Sequence, residues 1–446
     1  MKFLGIFLCS VIFVGGFTEN KKYNLLVIGN GAREHSIVWK LSLSDLVENI
    51  YVAPGSDAIA REEKVSTIDI QSTDIDSLVS FVKEKKIDFT IVGPEKPLEL
   101  GIADVFFKEG LACLAPSASC ALLETSKAFS KDFMKRHSIP HAKSETFTDY
   151  EEAVTYIAGH KMPIVIKPDG LASGKGVVIA NNVEEANKAC YQMLIEQKFA
   201  LAGKKIVIEE YLEGEEVSFI VLTDGKTIIP MKPTQDHKAR NNSDTGPNTG
   251  GMGAYSPLSI MNAQACQRIV TNIVWPTITG ISEEKEPYRG FLYVGLMMTK
   301  EGPKVLEYNC RLGDPEAQVI LMRMQSDFAQ VCKAAVEAQL DTIDISWDPR
   351  HCICVVLASE EYPKPCKEKL PIYGLSLEKD LNYKIFHSHT FIKEDQFFTD
   401  GGRVLCICSL GDDLLQAKDH VYKRIEDILW EGMHYRTDIG FKELRR

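Results

Sequence analysis

Val305-Leu306-Glu307-Tyr308-Asn309-Cys310-Arg311-Leu312-Gly313-Asp314-Pro315-Glu316 decides how the rest of the chain is read. From Leu306 to Asn309 apolar and polar side chains alternate, as in a strand with one buried face, so Glu307 and Asn309 share a face. They offer a carboxylate and an amide oxygen, two hard ligands suited to a magnesium ion that also carries nucleotide phosphates. Arg311 continues the alternation onto that face, where its guanidinium would neutralise charge on a transferred phosphoryl group or hold a carboxylate bidentately. A solitary Glu-x-Asn in a strand says little. With Arg311 two residues on and Asp314-Pro315-Glu316 after it, the run points to phosphoryl transfer.

Upstream, Lys167-Pro168-Asp169-Gly170-Leu171-Ala172-Ser173-Gly174-Lys175-Gly176 lies between predicted strands Pro163 to Lys167 and Val177 to Ala180. The run invites comparison with a P-loop, but only three residues separate Gly170 from Gly174, and Gly176 takes the place of the metal-binding Ser or Thr. The spacing supports a flexible glycine loop between two strands, with Lys175 reaching a phosphate and Lys167 fixed at a strand end, as a lid over a triphosphate would have. The next strand, Ile206 to Tyr211, ends in carboxylates at Glu209 and Glu210; Glu213-Gly214-Glu215-Glu216 and a strand from Ser218 to Leu222 follow. Carboxylates at a strand end can accept from ribose hydroxyls or an adenine amine, and strand-end backbone groups can read the adenine edge. Glu213 and Glu215 are expected as solvated turn residues.

The beginning of the chain has a different rhythm. A strand Tyr23 to Ile28, a helix from about Arg33 to Leu43, a strand Ile50 to Val52, a helix to about Lys86 and a strand Phe89 to Val92 predict a doubly wound, mostly parallel sheet. Between the first strand and helix, Gly29-Asn30-Gly31-Ala32-Arg33-Glu34-His35 can cradle an anion on backbone amides. A dinucleotide fold would place a third glycine where Glu34 stands, and an acidic residue where the second strand ends in Val52-Ala53-Pro54. NAD is therefore disfavoured. With Arg33 able to add a bidentate contact, the loop reads as a site for a substrate phosphate.

At 446 residues the chain is too long for one compact core, and about three domains are expected. Hydrophobic residues at 45% and charged residues at 25% are ordinary globular values, so disorder is not indicated. The net charge of −11 is spread along the chain without the basic patch that a nucleic-acid surface needs, and no nucleic-acid partner is expected. A third region, from about Asp348, has strands Cys352 to Leu357 and Arg403 to Leu410 and a helix from Asp413 to about Leu429, and shows no cluster of catalytic residue types. The 12 cysteines form no CxxC pair. Cys352/Cys354 and Cys406/Cys408 each share a strand face and read as buried thiols, which suits a reducing compartment. Residues 1–20 stand apart. Met1-Lys2, the apolar run Phe3 to Phe17 and Thr18-Glu19-Asn20 have the charged start and short greasy core of a secretory signal, too short to span a bilayer comfortably. A cytoplasmic protein without a membrane partner is expected, with export left open by this segment.

Together these residues resemble a known family, the ATP-grasp ligases, and within it the branch that joins glycine to 5-phosphoribosylamine in purine biosynthesis. The resemblance runs from about Tyr23 to Phe441. It is most specific at Val27 to His35, Ile91 to Glu95, Ser126 to Phe129, Gln235 to Lys238, Asp244 to Pro257, Glu307 to Glu316, Gly401 to Leu405 and Arg436 to Gly440. It implies an α/β protein with a leader (1–20) outside the family pattern and a doubly wound phosphoribosyl-binding domain (21–122). A central ATP-grasp fold (123–329) with a small lid at about 146–215, and a C-terminal mixed α/β domain (330–446), would follow. ATP would phosphorylate the carboxylate of glycine, and the amine of 5-phosphoribosylamine would attack the glycyl phosphate, giving glycinamide ribonucleotide, ADP and phosphate. Mg2+ or Mn2+ would assist, and the working unit would be a monomer. Such chemistry needs positioning and charge neutralisation more than a nucleophilic side chain.

By the resemblance, Lys127, Lys167, Gly174, Lys175 and Gly176 hold ATP, Glu209 and Leu212 line the adenine edge, Glu216 takes the ribose, and Glu307 and Asn309 bind the metal. Asp236, Arg311 and Asp314 face glycine and the reacting phosphoryl group. Gly29, Gly31, Arg33, Pro94 and Glu95 face the phosphoribosyl group. Two departures stand out: Pro168 lacks the amide hydrogen of the small residue usual there, and Leu312 replaces a common Phe. The nearest alternative is another ATP-grasp enzyme, such as a carboxylase taking bicarbonate as its acid, against which Gln235 to Lys238 and Asp244 to Pro257 argue. A non-catalytic nucleotide-binding protein is the alternative of another class; intact Lys127, Lys175, Glu307, Asn309 and Arg311 argue against it.

Overall fold

The computed structural model describes residues 21–171, 176–366, 368–375 and 382–446; the leader, Gly174 and Lys175 lie outside them. Five parallel strands open the fold in the order Val65–Thr67, Val47–Pro54, Tyr23–Gly29, Phe89–Val92, Cys113–Leu114. Tyr23–Gly29 is central, and Leu25, Leu26, Val27 and Ile28 are all fully buried, which is why this strand reads as an unbroken apolar run and not as an alternation. Strand order reverses around it, so its C-terminal end at Gly29 opens onto the crevice where ligands of doubly wound sheets bind.

Two antiparallel four-stranded sheets form the middle of the molecule. The larger runs Ile228–Pro230, Glu215–Thr223, Gly290–Thr299, Gly302–Asn309; the smaller runs Ser144–Phe147, Ile206–Glu210, Ile164–Pro168, Val178–Ala180. Helices Tyr150–Ala158 and Val183–Leu194 back the smaller sheet, each started by a side chain, Asp149 or Asn182, that accepts from an amide three residues on. Together they bury a core of their own, including Ile157, Ile164, Ile166, Met193 and Ile208, separate from the core that runs through the rest of the protein.

The last sheet draws on distant parts of the chain. Gln235–Asp236 and Gly253–Ser256 join His351–Ala358, Arg403–Gly411 and Tyr383–His387, all antiparallel. Cys352, Cys354, Cys406 and Cys408 pack on one side with Ala254, Val319, Met322 and Trp39, as buried free thiols. The helix after Asp413 ends at Ile425, short of the expected Leu429. Leu429 instead exchanges backbone hydrogen bonds with Tyr373, at 2.9 and 3.2 Å. Among the described residues no helix is long and apolar enough to cross a membrane.

Candidate active site

A cleft of about 670 Å³ lies where the three parts of the chain meet, its wall running from Asn30 to Arg403. Glu307 and Asn309 project into it from the strand Gly302–Asn309. Opposite Glu307 in the pairing stands Gly295, where a Cβ would come 3.3 Å from the Glu307 side chain. Burial works against the charge of Glu307, but Lys238, Lys167 and Lys127 outweigh it and hold its pKa below the ordinary carboxylate value. An ionised carboxylate beside an amide oxygen, without sulfur or imidazole, suits a hard divalent cation. Among the described residues no group of three or more His, Cys, Asp or Glu converges as a full cage. A cation held here would therefore complete its shell with phosphate oxygens and water.

At the root of the smaller sheet, Lys167 and Lys131 each approach Glu209 to 3.1 Å, all three side chains being nearly inaccessible. Burial opposes the Glu209 charge, yet the two lysines keep its pKa low. Burial also opposes the charge on Lys167, but Glu209 and Glu307 raise its pKa; Lys131 is pulled down because burial prevails there. The Glu209 carboxylate is thus committed to lysines, and with Leu212 the strand end forms cleft wall. Lys127 begins the helix Lys127–Arg136, which Ser126 caps, and donates to the Gly170 carbonyl at 2.9 Å. The loop base is fastened by Asp169, which accepts from Ser126 Oγ and the Ala128 amide, both at 3.1 Å. Gly176 and Glu216 line the same cleft.

Arg311 is held between Glu95 at 3.2 Å and Glu124 at 2.9 Å. Arg311 lowers Glu95 to about 2, whereas burial raises Glu124. Asp314 accepts from Gln318 Nε2 and from an Arg403 nitrogen, both at 2.8 Å. Arg403 also donates to the carbonyls of Gly250 at 2.8 Å and Asp314 at 2.7 Å. Asp236 lies 3.6 Å from Lys238, and its buried Oδ1 has no hydrogen-bond partner. Burial and the nearby Glu316 push its pKa well up. Gly251, at φ +113°, passes so close that a Cβ would sit 2.8 Å from that oxygen.

In the N-terminal glycine loop the amides meet a carboxylate of the protein itself. The Gly31 amide donates to Glu34 Oε2 at 2.8 Å, and Arg33 Nε donates to Glu34 Oε1 at 2.6 Å. Glu34 fills the hollow: a Cβ on Gly29, Gly31 or Gly93 would come 2.4, 3.0 or 2.0 Å from its side chain. The Gly31 amide is thus paired within the protein, and Gly29 is not part of the cleft wall. Gly31, Arg33, Pro94 and Glu95 do line the cleft.

Of the site residues expected from sequence, Gly29 stays outside the wall, and Gly174 and Lys175 fall outside the described residues; the others line one cleft. Lys131, Glu124, Glu316 and Arg403 line it too without having been singled out. Lys131 follows Lys127 by one helical turn, a spacing that puts both on one face and that the sequence displays. The region after Asp348, expected to show no cluster of catalytic residue types, contributes Ser388, His389 and Arg403 to the wall. Glu213 is exposed as expected, but Glu215 pairs with Arg446.

Residues 23–124, 125–317 and 352–442 match, in that order, the N, ATP-grasp (A) and C domains of phosphoribosylglycinamide synthetase. The chain is 48% identical over 424 residues to the phosphoribosylamine–glycine ligases of Vibrio vulnificus (strain CMCP6) and of Escherichia coli (strain K12), covering 95% of this chain and 99% of each relative. The crystal structure of phosphoribosylamine–glycine ligase from Thermotoga maritima matches with a TM-score of 0.82 at 28% identity, over 93% of this chain and all of that one. The biotin carboxylase domain of a Hydrogenobacter thermophilus 2-oxoglutarate carboxylase, solved with MgADP and bicarbonate, shares the fold at a TM-score of 0.69 and 15% identity, over 92% of this chain and 91% of that one.

Proposed function

The chain belongs to the phosphoribosylglycinamide synthetase family, and from that membership we infer how its cleft works. It is an ATP-dependent carbon–nitrogen ligase that joins glycine to 5-phosphoribosylamine, giving glycinamide ribonucleotide, ADP and phosphate in purine biosynthesis. The observation that carries the residue-level reading is the convergence of Lys127, Lys167 and Lys238 on the ionised Glu307, with Asn309 and Arg311 beside it.

Lys127, Lys167 and Lys175 take the phosphates or the adenine of ATP, Glu209 and Leu212 line the adenine edge, and Glu216 takes the ribose. Glu307 and Asn309 would hold Mg2+ or Mn2+, which would supply charge neutralisation to the nucleotide phosphates. An oxygen of the glycine carboxylate attacks the γ-phosphorus and ADP leaves; Arg311, fixed by Glu95 and Glu124, is prepositioned for the charge on the group in transfer. Glycine's ammonium suits Asp236, a buried acceptor lacking a partner beside Glu316. The amine of 5-phosphoribosylamine then attacks the acyl carbon of glycyl phosphate, phosphate leaves with the broken C–O bond, and the nitrogen loses a proton. Gly31, Arg33, Pro94 and Glu95 face the phosphoribosyl group, on the same side as Asp314. Free thiols throughout the described residues suit a cytoplasmic setting.

The test is ADP release by the purified protein with ATP, Mg2+ and glycine, with and without 5-phosphoribosylamine generated in situ. Release that requires both, with glycinamide ribonucleotide identified by mass, is the expected result. Release supported by bicarbonate in place of glycine would overturn the assignment of the acid.

A further inference from the structure

Arg436 is the largest side chain wholly buried among the described residues, yet it does not line the cleft. Its guanidinium donates to both carboxylate oxygens of Asp438 at 2.8 and 3.0 Å, to the Ala239 carbonyl at 3.1 Å and to Asp244 Oδ1 at 2.7 Å. Its neighbours repeat the grip. The Thr437 amide donates to Asn242 Oδ1 at 3.0 Å while Asn242 Nδ2 donates back to Thr437 Oγ1 at 2.7 Å. The Ser243 amide donates to Asp438 Oδ2 at 2.7 Å, the Gly440 amide to His237 Nε2 at 2.9 Å, and Lys442 pairs with Asp244 at 2.7 Å. These bonds hold a backbone the chain does not favour on its own, since Ser243 and Asp244 both lie in the left-handed region at φ +58° and +53°.

What is held this way runs directly into the cleft. His237 is buried, accepts from Gly440 and stacks on Phe441 with ring centroids 5.6 Å apart. Alternation along the chain turns its neighbours Asp236 and Lys238 the other way, into the cleft wall. The Lys238 carbonyl accepts from both the amide and the hydroxyl of Thr249, at 2.8 Å each, so the wall at Thr249 and Gly250 hangs from the same backbone.

We propose that residues 436–442 form a clasp that sets the position of Asp236 and Lys238, with Arg436 a positioning residue for glycine acting through Asp244. The proposal rests on the reading of Asp236 as part of the glycine site. Arg436 spans Asp438, Ala239 and Asp244 at once because its donors are fixed in a planar fork; a lysine keeps the charge and loses the span. A displacement of about 1 Å in a substrate-positioning group is enough to cost a large factor in rate.

Arg436→Lys, Asp244→Asn, the double variant and the milder, exposed Asn242→Ala test this, with KM for glycine and for ATP, kcat, melting temperature and hydrogen exchange of residues 238–250 as readouts. The clasp requires KM for glycine to rise by roughly tenfold or more in Arg436→Lys, with KM for ATP within about twofold of the parent. Exchange of 238–250 must quicken, and adding Asp244→Asn to Arg436→Lys must cost little more. A lower melting temperature with both KM values unchanged, or an equal rise in both, overturns the proposal. If Arg436→Lys does not fold, Asn242→Ala supplies the same comparison on a smaller scale. If the parent shows no glycine-dependent ADP release, the reading of the cleft fails by itself, and the clasp stands or falls on the exchange of 238–250.

Discussion

Glu307, proposed above as a metal ligand, keeps its charge because Lys238, Lys167 and Lys127 outweigh its own burial. Replacing it by Ala removes the proposed metal ligand and the negative charge that those lysines share. Turnover is expected to fall by a factor of about a hundred or more, with circular dichroism unchanged; a variant with near-parental kcat would take Glu307 out of the metal site. Glu307 and Asn309 could be placed on one face from the sequence because a strand assigns faces by alternation alone, whereas Arg311, expected to continue that alternation, lies past the strand's end at Asn309 and still lines the cleft. Lys131 was legible only as a companion of Lys127 on one helix face, and Glu124 not at all, because their meaning lies in partners, Glu209 and Arg311, that only the fold brings to them. The place that Glu34 takes in the loop was not legible for a related reason. The loop's glycines suggested room for a ligand, and the room is occupied by the protein's own carboxylate.

At the scale of elements, the small antiparallel sheet with its two helices is the piece most able to behave independently, since its apolar cluster is its own. Ile208 is 1% exposed within it. Ile208→Ala should weaken that unit by about 2–4 kcal/mol. Hydrogen exchange would then quicken across 144–210 while the parallel sheet keeps its protection; a uniform loss across the chain would show that the unit is not separable. The strands of this unit were legible from their apolar runs, but their pairing order was not, because period and propensity say which face is buried and not which strand lies alongside. The same limit explains the last sheet, in which Gly253–Ser256 pairs with His351–Ala358 across a long stretch of intervening chain. It also explains the early end of the helix at Ile425, imposed by the bridge from Leu429 to Tyr373.

Across the whole molecule, the first and last parts of the chain are tied through Glu62. It approaches His35 Nε2 to 2.9 Å and Lys384 Nζ to 2.6 Å. His35 Nδ1 accepts from the His387 amide at 3.0 Å, so Nε2 carries the proton and donates to Glu62. Burial opposes the Glu62 charge, but His35 and Lys384 bring its pKa down to about 2. A depressed carboxylate stabilises the fold above its unfolded pKa and loses that contribution as the pH falls through the folded one. The parent should therefore exceed Glu62→Gln in stability by on the order of 3 kcal/mol near neutral pH. That gap should narrow as the pH falls from about 4.5 toward 2. Melting temperatures of both proteins across that range check it, and a gap independent of pH would contradict it. The division into a doubly wound part, a grasp-like middle and a closing sheet was legible from the order of motifs, whereas this tie was not, since nothing in the sequence near His35 announces Lys384.

The wall of the cleft runs from Asn30 to Arg403, and Arg403 bonds both Gly250 and Asp314. On the ribosome, a chain that has emerged only through Asn309 carries one side of the cleft and not the residues of the last sheet that close it. The bonds that Arg403 makes to Gly250 and Asp314 must wait for nearly the whole polypeptide, so the finished cleft is a property of the nearly finished chain.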